Sequence, residues 1–127
     1  SRQPLVAWVV GDHQAIRQSA LRELGFIIAK AIDGKRSMNK LQYLINELQQ
    51  ELPQLLWIAL SNPATMTGSR QDRRATRMEV RLATVQNNSQ RMCILDARSR
   101  STAWEMPEMQ EFADGHRWST GTSCGVI

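Results

Sequence analysis

The residues best suited to chemistry in this chain stand where apolar runs stop. Ser61, Asn62, Pro63 and Ala64 follow Leu55-Leu56-Trp57-Ile58-Ala59-Leu60 directly. Gly11 and Asp12 follow Leu5–Val10, Asp33 follows the run that starts at Phe26, and Asp96 closes Met92-Cys93-Ile94-Leu95. Carboxylates and small polar side chains gathered at one rim are the raw material for proton transfer or for orienting a ligand. None of these groups makes a complete set by itself. The glycine-rich G-x-G-x-x-G that cradles a pyrophosphate is missing, and Gly11 stands alone. Asp33 occupies the place where an acid holds a ribose in dinucleotide-binding folds, yet Asp33-Gly34 is equally a common turn pair.

His13 and His116 are the only histidines, and neither has the spacing of a zinc site, so no metal is expected. No serine sits in a nucleophile elbow, and no histidine–acid partnership for a triad is evident. Cys93 falls inside an apolar run and is expected to be a buried small hydrophobe. With Cys124 as the only other cysteine there is no disulfide framework, and an intracellular, reducing setting, cytoplasmic or nuclear, is expected. Cys124-Gly125-Val126-Ile127 has the outline of a prenylation signal, and it also suits a last strand.

A different chemistry is written in the arginines. Residues 68–100 carry eight arginines against Asp72, Glu79 and Asp96, a net charge of +5, while the rest of the chain carries −1. Arg70, Arg73, Arg74, Arg77 and Arg81 recur at spacings of three and four, which on a helix gives them a common polar face. Such a face fits a phosphate-rich or acidic partner, nucleic acid included. It fits a plain solvated face as well. Only Trp104 and Trp118 accompany it, too few for a base-stacking platform.

The elements that must position these groups are legible from periodicity. Leu55–Leu60 is six uncharged residues ended by Ser61-Asn62-Pro63, as expected of a strand buried on both faces. Such strands belong to parallel sheets covered by helices, in which ligands bind beyond the carboxyl ends of the strands. Strands are likewise predicted over 5–10, 26–31 and 92–96. Between them Gln14–Leu24 reads as a helix with Ala15, Ile16, Ala20, Leu21 and Leu24 on its apolar side, stopped by Gly25. A second helix runs to Leu52, with Ser37 as a candidate cap and Leu41, Leu44, Ile45 and Leu48 in one stripe. A third covers roughly 70–90, with Ala75, Met78, Leu82 and Val85 inward. A short one starts near Pro107. Strand and helix alternate, so the expected architecture is a single Rossmann-like α/β three-layer sandwich over residues 1–127. Its sheet is mostly parallel, has four to five strands and carries helices on both faces.

The totals agree. The chain has 127 residues, 42% hydrophobic and 22% charged, which is ordinary globular composition rather than that of a disordered tail. No apolar run reaches membrane-spanning length, so no membrane partner is expected. No signal-peptide pattern opens the chain. Ser1 in place of Met is expected of a processed chain or of a piece of a larger polypeptide.

Two families are brought to mind by particular residues. Val9-Val10-Gly11-Asp12-His13-Gln14-Ala15-Ile16-Arg17, with Asp33-Gly34, resembles the opening of a two-component receiver domain. The resemblance covers residues 5 to about 60. The third strand there should end in a phosphoacceptor aspartate, and here it ends in Leu60-Ser61-Asn62. The receiver's paired acids are also broken, because Gly11 replaces one. The resemblance therefore implies an interaction domain without phosphorylation.

The second resemblance covers nearly the whole chain. Leu56-Trp57-Ile58 leading to Ser61-Asn62-Pro63-Ala64, then Ile94-Leu95-Asp96 leading to Trp104-Glu105-Met106-Pro107, is similar to a degenerate methyltransferase-like α/β domain. That domain occurs in retroelement polyproteins and is related to DNA cytosine carbon-5 methyltransferases. The closing Cys124-Gly125 resembles that family's final strand. The resemblance implies a cysteine nucleophile at position 64, where this chain has Ala64. A methyl group has no activatable atom. Asp96 stands in place of a glutamate, Arg98 in place of a proline, and the cofactor loop has lost its glycines. The implied protein is a non-catalytic, methyltransferase-like binding or structural module without a cofactor. The alternative is an enzyme that still holds S-adenosylmethionine through Gly11, Asp12 and Asp33.

Overall fold

The structure is a computed structural model that describes residues 4–11, 14–32, 40–60, 70–97 and 105–115. The element order is β1 (Leu5–Val10), α1 (Gln14–Glu23), β2 (Phe26–Ile32), α2 (Leu41–Glu51), β3 (Leu55–Ala59), α3 (Arg70–Asn88), β4 (Met92–Asp96) and α4 (Pro107–Gly115). The four strands form one sheet in the order β2-β1-β3-β4, and every neighbouring pair is parallel. This is the expected α/β architecture. The described sheet has four strands, and the expected last strand at 124–127 lies outside the described residues.

The central position of β3 follows from its composition. Leu55, Leu56, Trp57 and Ile58 are all buried, because a strand flanked on both edges and covered on both faces leaves no side chain in water. Alternate residues feed two cores. Trp8, Val10, Leu56 and Ile58 point to one face, where they meet Leu44, Ile45 and Leu48 of α2, Met78 and Leu82 of α3, and Met109 and Phe112 of α4. Ala7, Val9, Leu55 and Trp57 point to the other, where Leu21 of α1 packs with them. So α1 covers one face, and α2, α3 and α4 cover the other.

An edge irregularity sets where β2 directs its side chains. Ala7 pairs with Ile28 but Trp8 pairs with Lys30, so Ala29 is an extra residue, a β-bulge. Before it, Phe26 and Ile28 pack on the α1 side. After it the alternation flips, and Ile32 joins the opposite core. The flip also brings Lys30 over the rings of Trp8 and Tyr43, 5.3 and 5.4 Å from their centroids, and into an ion pair with Glu47 of α2. Trp8 Nε1 completes the cluster by donating to Glu51 Oε2 at 2.6 Å.

Helix ends follow the expected punctuation. Gly25 after α1 has φ of +91° and donates its N–H to the Arg22 carbonyl at 3.0 Å, the left-handed stop that glycine adopts at no steric cost. At the end of α2, Leu52 takes that conformation instead, with φ of +46°, because Pro53 cannot continue the helix. The expected cap Ser37 lies outside the described residues; the residue preceding Leu41 is Lys40, which makes no side-chain cap bond.

The apolar stripe expected on α1 needs correction. Ile16 and Leu24 are 74% and 67% exposed, and the buried residues of the helix are Leu21 and Arg17. The helix is rotated so that a guanidinium, four residues before Leu21, faces the sheet.

Candidate functional site

Two regions concentrate polar groups: the carboxyl rim of the sheet and the outer surface of α3. At the rim, the strand ends tie to one another. Gly11 N donates to the Ile32 carbonyl at 2.8 Å, and Leu60 N donates to the Asp96 carbonyl at 2.8 Å. The first turn of α1 caps the same edge: Gln14 Nε2 donates to the Ile32 carbonyl at 2.7 Å. Arg17 Nη1 donates to the Val10 carbonyl at 3.0 Å. The Arg17 guanidinium lies 5.9 Å from the centroid of the Trp57 ring, a favourable contact with the ring's negative face. A buried charge must be paired or hydrogen-bonded, and the Val10 carbonyl and the Trp57 ring supply part of that need for Arg17.

Gly11, expected as a cofactor contact, has a packing role that accounts for it. Its φ is +100°, and a Cβ at that position would run into the carbonyl oxygen of Ala59. Only a residue without a side chain lets β1 and β3 end side by side. Asp96 stands at the end of β4 with its side chain exposed. The structure thus brings Gly11 and Asp96 to the same rim, on either side of β3. Asp12, Asp33, Ser61, Asn62, Pro63 and Ala64 lie outside the described residues, and so does the side chain of Arg70. Among the described residues no group of three or more His, Cys, Asp and Glu side chains could hold a metal ion.

Cys93 is half-buried on the α3 side of the sheet, packed against the larger core. Burial pushes its thiol up to about 12, because the apolar surroundings disfavour the thiolate. The thiolate is the nucleophilic form, so this shift disfavours nucleophilic chemistry at the sulfur.

The second region is built by α3 itself. At about 100° per residue, Arg70, Arg73, Arg74, Arg77 and Arg81 fall within an arc of about 100°. On the opposite side Ala75, Met78, Leu82 and Ala83 are buried in the larger core. So are three polar residues that periodicity did not mark: Thr76, Glu79 and Gln86. Gln86 is anchored, its Nε2 donating to the carbonyls of Pro53 at 2.9 Å and Met92 at 3.1 Å. These contacts fix the rotation of α3 and turn Arg73, Arg74, Arg77 and Arg81 to solvent. Arg77 Nε pairs with Glu108 Oε1 of α4 at 2.9 Å. Among the described residues Arg73, Arg74 and Arg81 have no acidic partner.

Two residues that matter here escaped sequence reasoning. Arg17 sat within an apolar pattern, and its spacing of four from Leu21 was the available signal. Glu108 lies 31 positions from Arg77, and nothing local links the two. Comparison with known protein families, characterised proteins and solved structures finds no match to this chain. No helix among the described residues is long and apolar enough to cross a membrane.

Proposed function

We propose that this chain is a non-catalytic binding module whose α3 arginines contact the phosphates of nucleic acid. The observation that carries this reading is the set of four exposed arginines on one side of a helix whose other side is locked into the core. From Arg70 to Arg81 the file is about 16 Å long at 1.5 Å per residue. That length faces roughly five phosphates of one strand at about 3.4 Å each. The stripe holds no aromatic side chain, so contact is to the backbone and not to stacked bases.

The absence of catalysis is argued from composition and environment. Ala64 takes the position of the nucleophile in the methyltransferase-like resemblance, and desolvation of the half-buried Cys93 thiol raises its pKa and favours the protonated form. Gly11 is accounted for by its packing on Ala59 and gives no support to a cofactor loop. Titration calorimetry with S-adenosylmethionine is therefore expected to give no saturable heat; a saturable signal would favour the enzyme reading instead.

The decisive experiment is fluorescence anisotropy of a labelled DNA duplex across a salt series. Replacing Arg73, Arg74 and Arg81 together by glutamine should weaken binding and flatten the plot of log affinity against log salt by about 0.9 per lost phosphate contact. Unchanged affinity and slope in that triple variant would reject the surface.

A second reading is favoured by the strand order. The sequence β2-β1-β3-β4 matches the first four strands of the flavodoxin-like order 2-1-3-4-5, not the 3-2-1-4 arrangement of dinucleotide-binding folds. This supports a receiver-like protein interaction domain without phosphorylation. On that reading the duplex would not bind at all, and mass spectrometry after incubation with acetyl phosphate would show no adduct.

A further inference from the structure

The ion pair between α3 and α4 divides the arginine file into two kinds of cation. Arg73, Arg74 and Arg81 face solvent with no acid beside them among the described residues, whereas Arg77, in the middle of the file, is held by Glu108. Glu108 belongs to a helix with no basic residue, which also carries Glu111 and Asp114. That helix is fixed against α3, because Met109 and Phe112 are buried in the core they share. The acid beside Arg77 is therefore positioned by packing and not by chance approach of two mobile side chains.

We propose that Glu108 is a built-in competitor for phosphate: it occupies Arg77 in the free protein and so lowers affinity for nucleic acid. The inference rests on the reading of α3 as a phosphate-contacting surface and adds its regulation. A carboxylate and a phosphate oxygen ask for the same guanidinium N–H groups. Glu108 uses Nε of Arg77, so a phosphate engages Arg77 fully only after that pair opens. An exposed ion pair is worth little, so the competition tunes affinity and does not block binding. It also makes the middle of the file the weakest place to hold a strand, and it sets the side away from α4 as the track along which the backbone lies.

The test uses the full chain, a labelled DNA duplex and anisotropy over a salt series. Glu108→Gln should tighten binding at low salt by about two- to five-fold, the equivalent of one exposed ion pair, and steepen the salt slope by about 0.9 as Arg77 gains a phosphate. Glu111→Gln removes the same charge from the same helix without releasing an arginine, and should change affinity less and leave the slope alone. In the unsubstituted background Arg77→Gln should alter the slope less than Arg74→Gln or Arg81→Gln. Equal effects of Glu108→Gln and Glu111→Gln, or an Arg77→Gln slope change as large as that of its neighbours, would overturn the competition while leaving the nucleic-acid reading in place. No binding by the unsubstituted chain would overturn both.

Discussion

At Gly11 a single hydrogen in place of a side chain decides whether β1 and β3 can end next to each other. Gly11→Ala would meet the Ala59 carbonyl and a φ of +100° together. The two costs, about 1–2 kcal/mol for the left-handed backbone and about 1–3 kcal/mol for overpacking, predict a large drop in the urea midpoint. Gly25→Ala meets nothing within 4 Å and should lose only the backbone part. Cys93 makes a second residue-level prediction. Its folded thiol is raised to about 12 from 9.0, so folding favours the protonated form. That contribution is complete below pH about 9 and is lost as pH climbs toward 12. Denaturation midpoints should therefore fall over that window, and Cys93→Ala should flatten the fall. At neutral pH, alkylation by iodoacetamide should be slow in the native state and rapid in urea. The upward shift of this thiol was legible in the sequence, because Cys93 stands between Met92 and Ile94-Leu95 and apolar neighbours imply desolvation. The demand at Gly11 was not, because it arises from a strand 48 residues away.

Among the elements, α3 shows what periodicity reads well and what it misses. Its apolar stripe and its arginine face both follow from spacings of three and four, and both are present. Gln86 breaks the pattern: it is a polar side chain at a fully buried position, and only the folded geometry reveals the two carbonyls it serves. Gln86→Leu keeps the volume and removes both bonds, leaving the openings of β3 and β4 unpinned. The expected loss is about 1–3 kcal/mol, with faster amide exchange at Leu55 and Cys93 than elsewhere in the sheet. In α1 the same kind of miss occurred, since Arg17 replaces the apolar residue that the spacing predicts, and Ile16 and Leu24 are turned outward. The bulge in β2 escaped sequence reasoning as well. Deleting Ala29 would remove the extra residue and leave Lys30 opposite Trp8 and Ile32 opposite Val10, on the faces they already occupy. That deletion should therefore keep the Trp8–Lys30–Glu47 cluster, as read by unchanged tryptophan fluorescence.

For the whole molecule, all four strand positions and the alternation of helices could be read from the chain, because buried parallel strands announce themselves as short unbroken apolar runs. Strand order could not, since it depends on which crossovers pack, and the chain carries no local mark of them. Nor could the pairing of α3 with α4, which sets the polarity of the outer surface. If the arginines act through backbone phosphates alone, duplexes of equal length and unrelated sequence should bind within about two-fold of one another, as competition assays would measure. Because α3 supplies both the lid of the larger core and the cations outside it, the proposed grip on a duplex would depend on the integrity of the fold. Hollowing the interior with Leu82→Ala should blunt the outer surface without touching an arginine. Heat-induced release of a bound duplex should then superimpose on the melting curve of the protein, shifting downward with it.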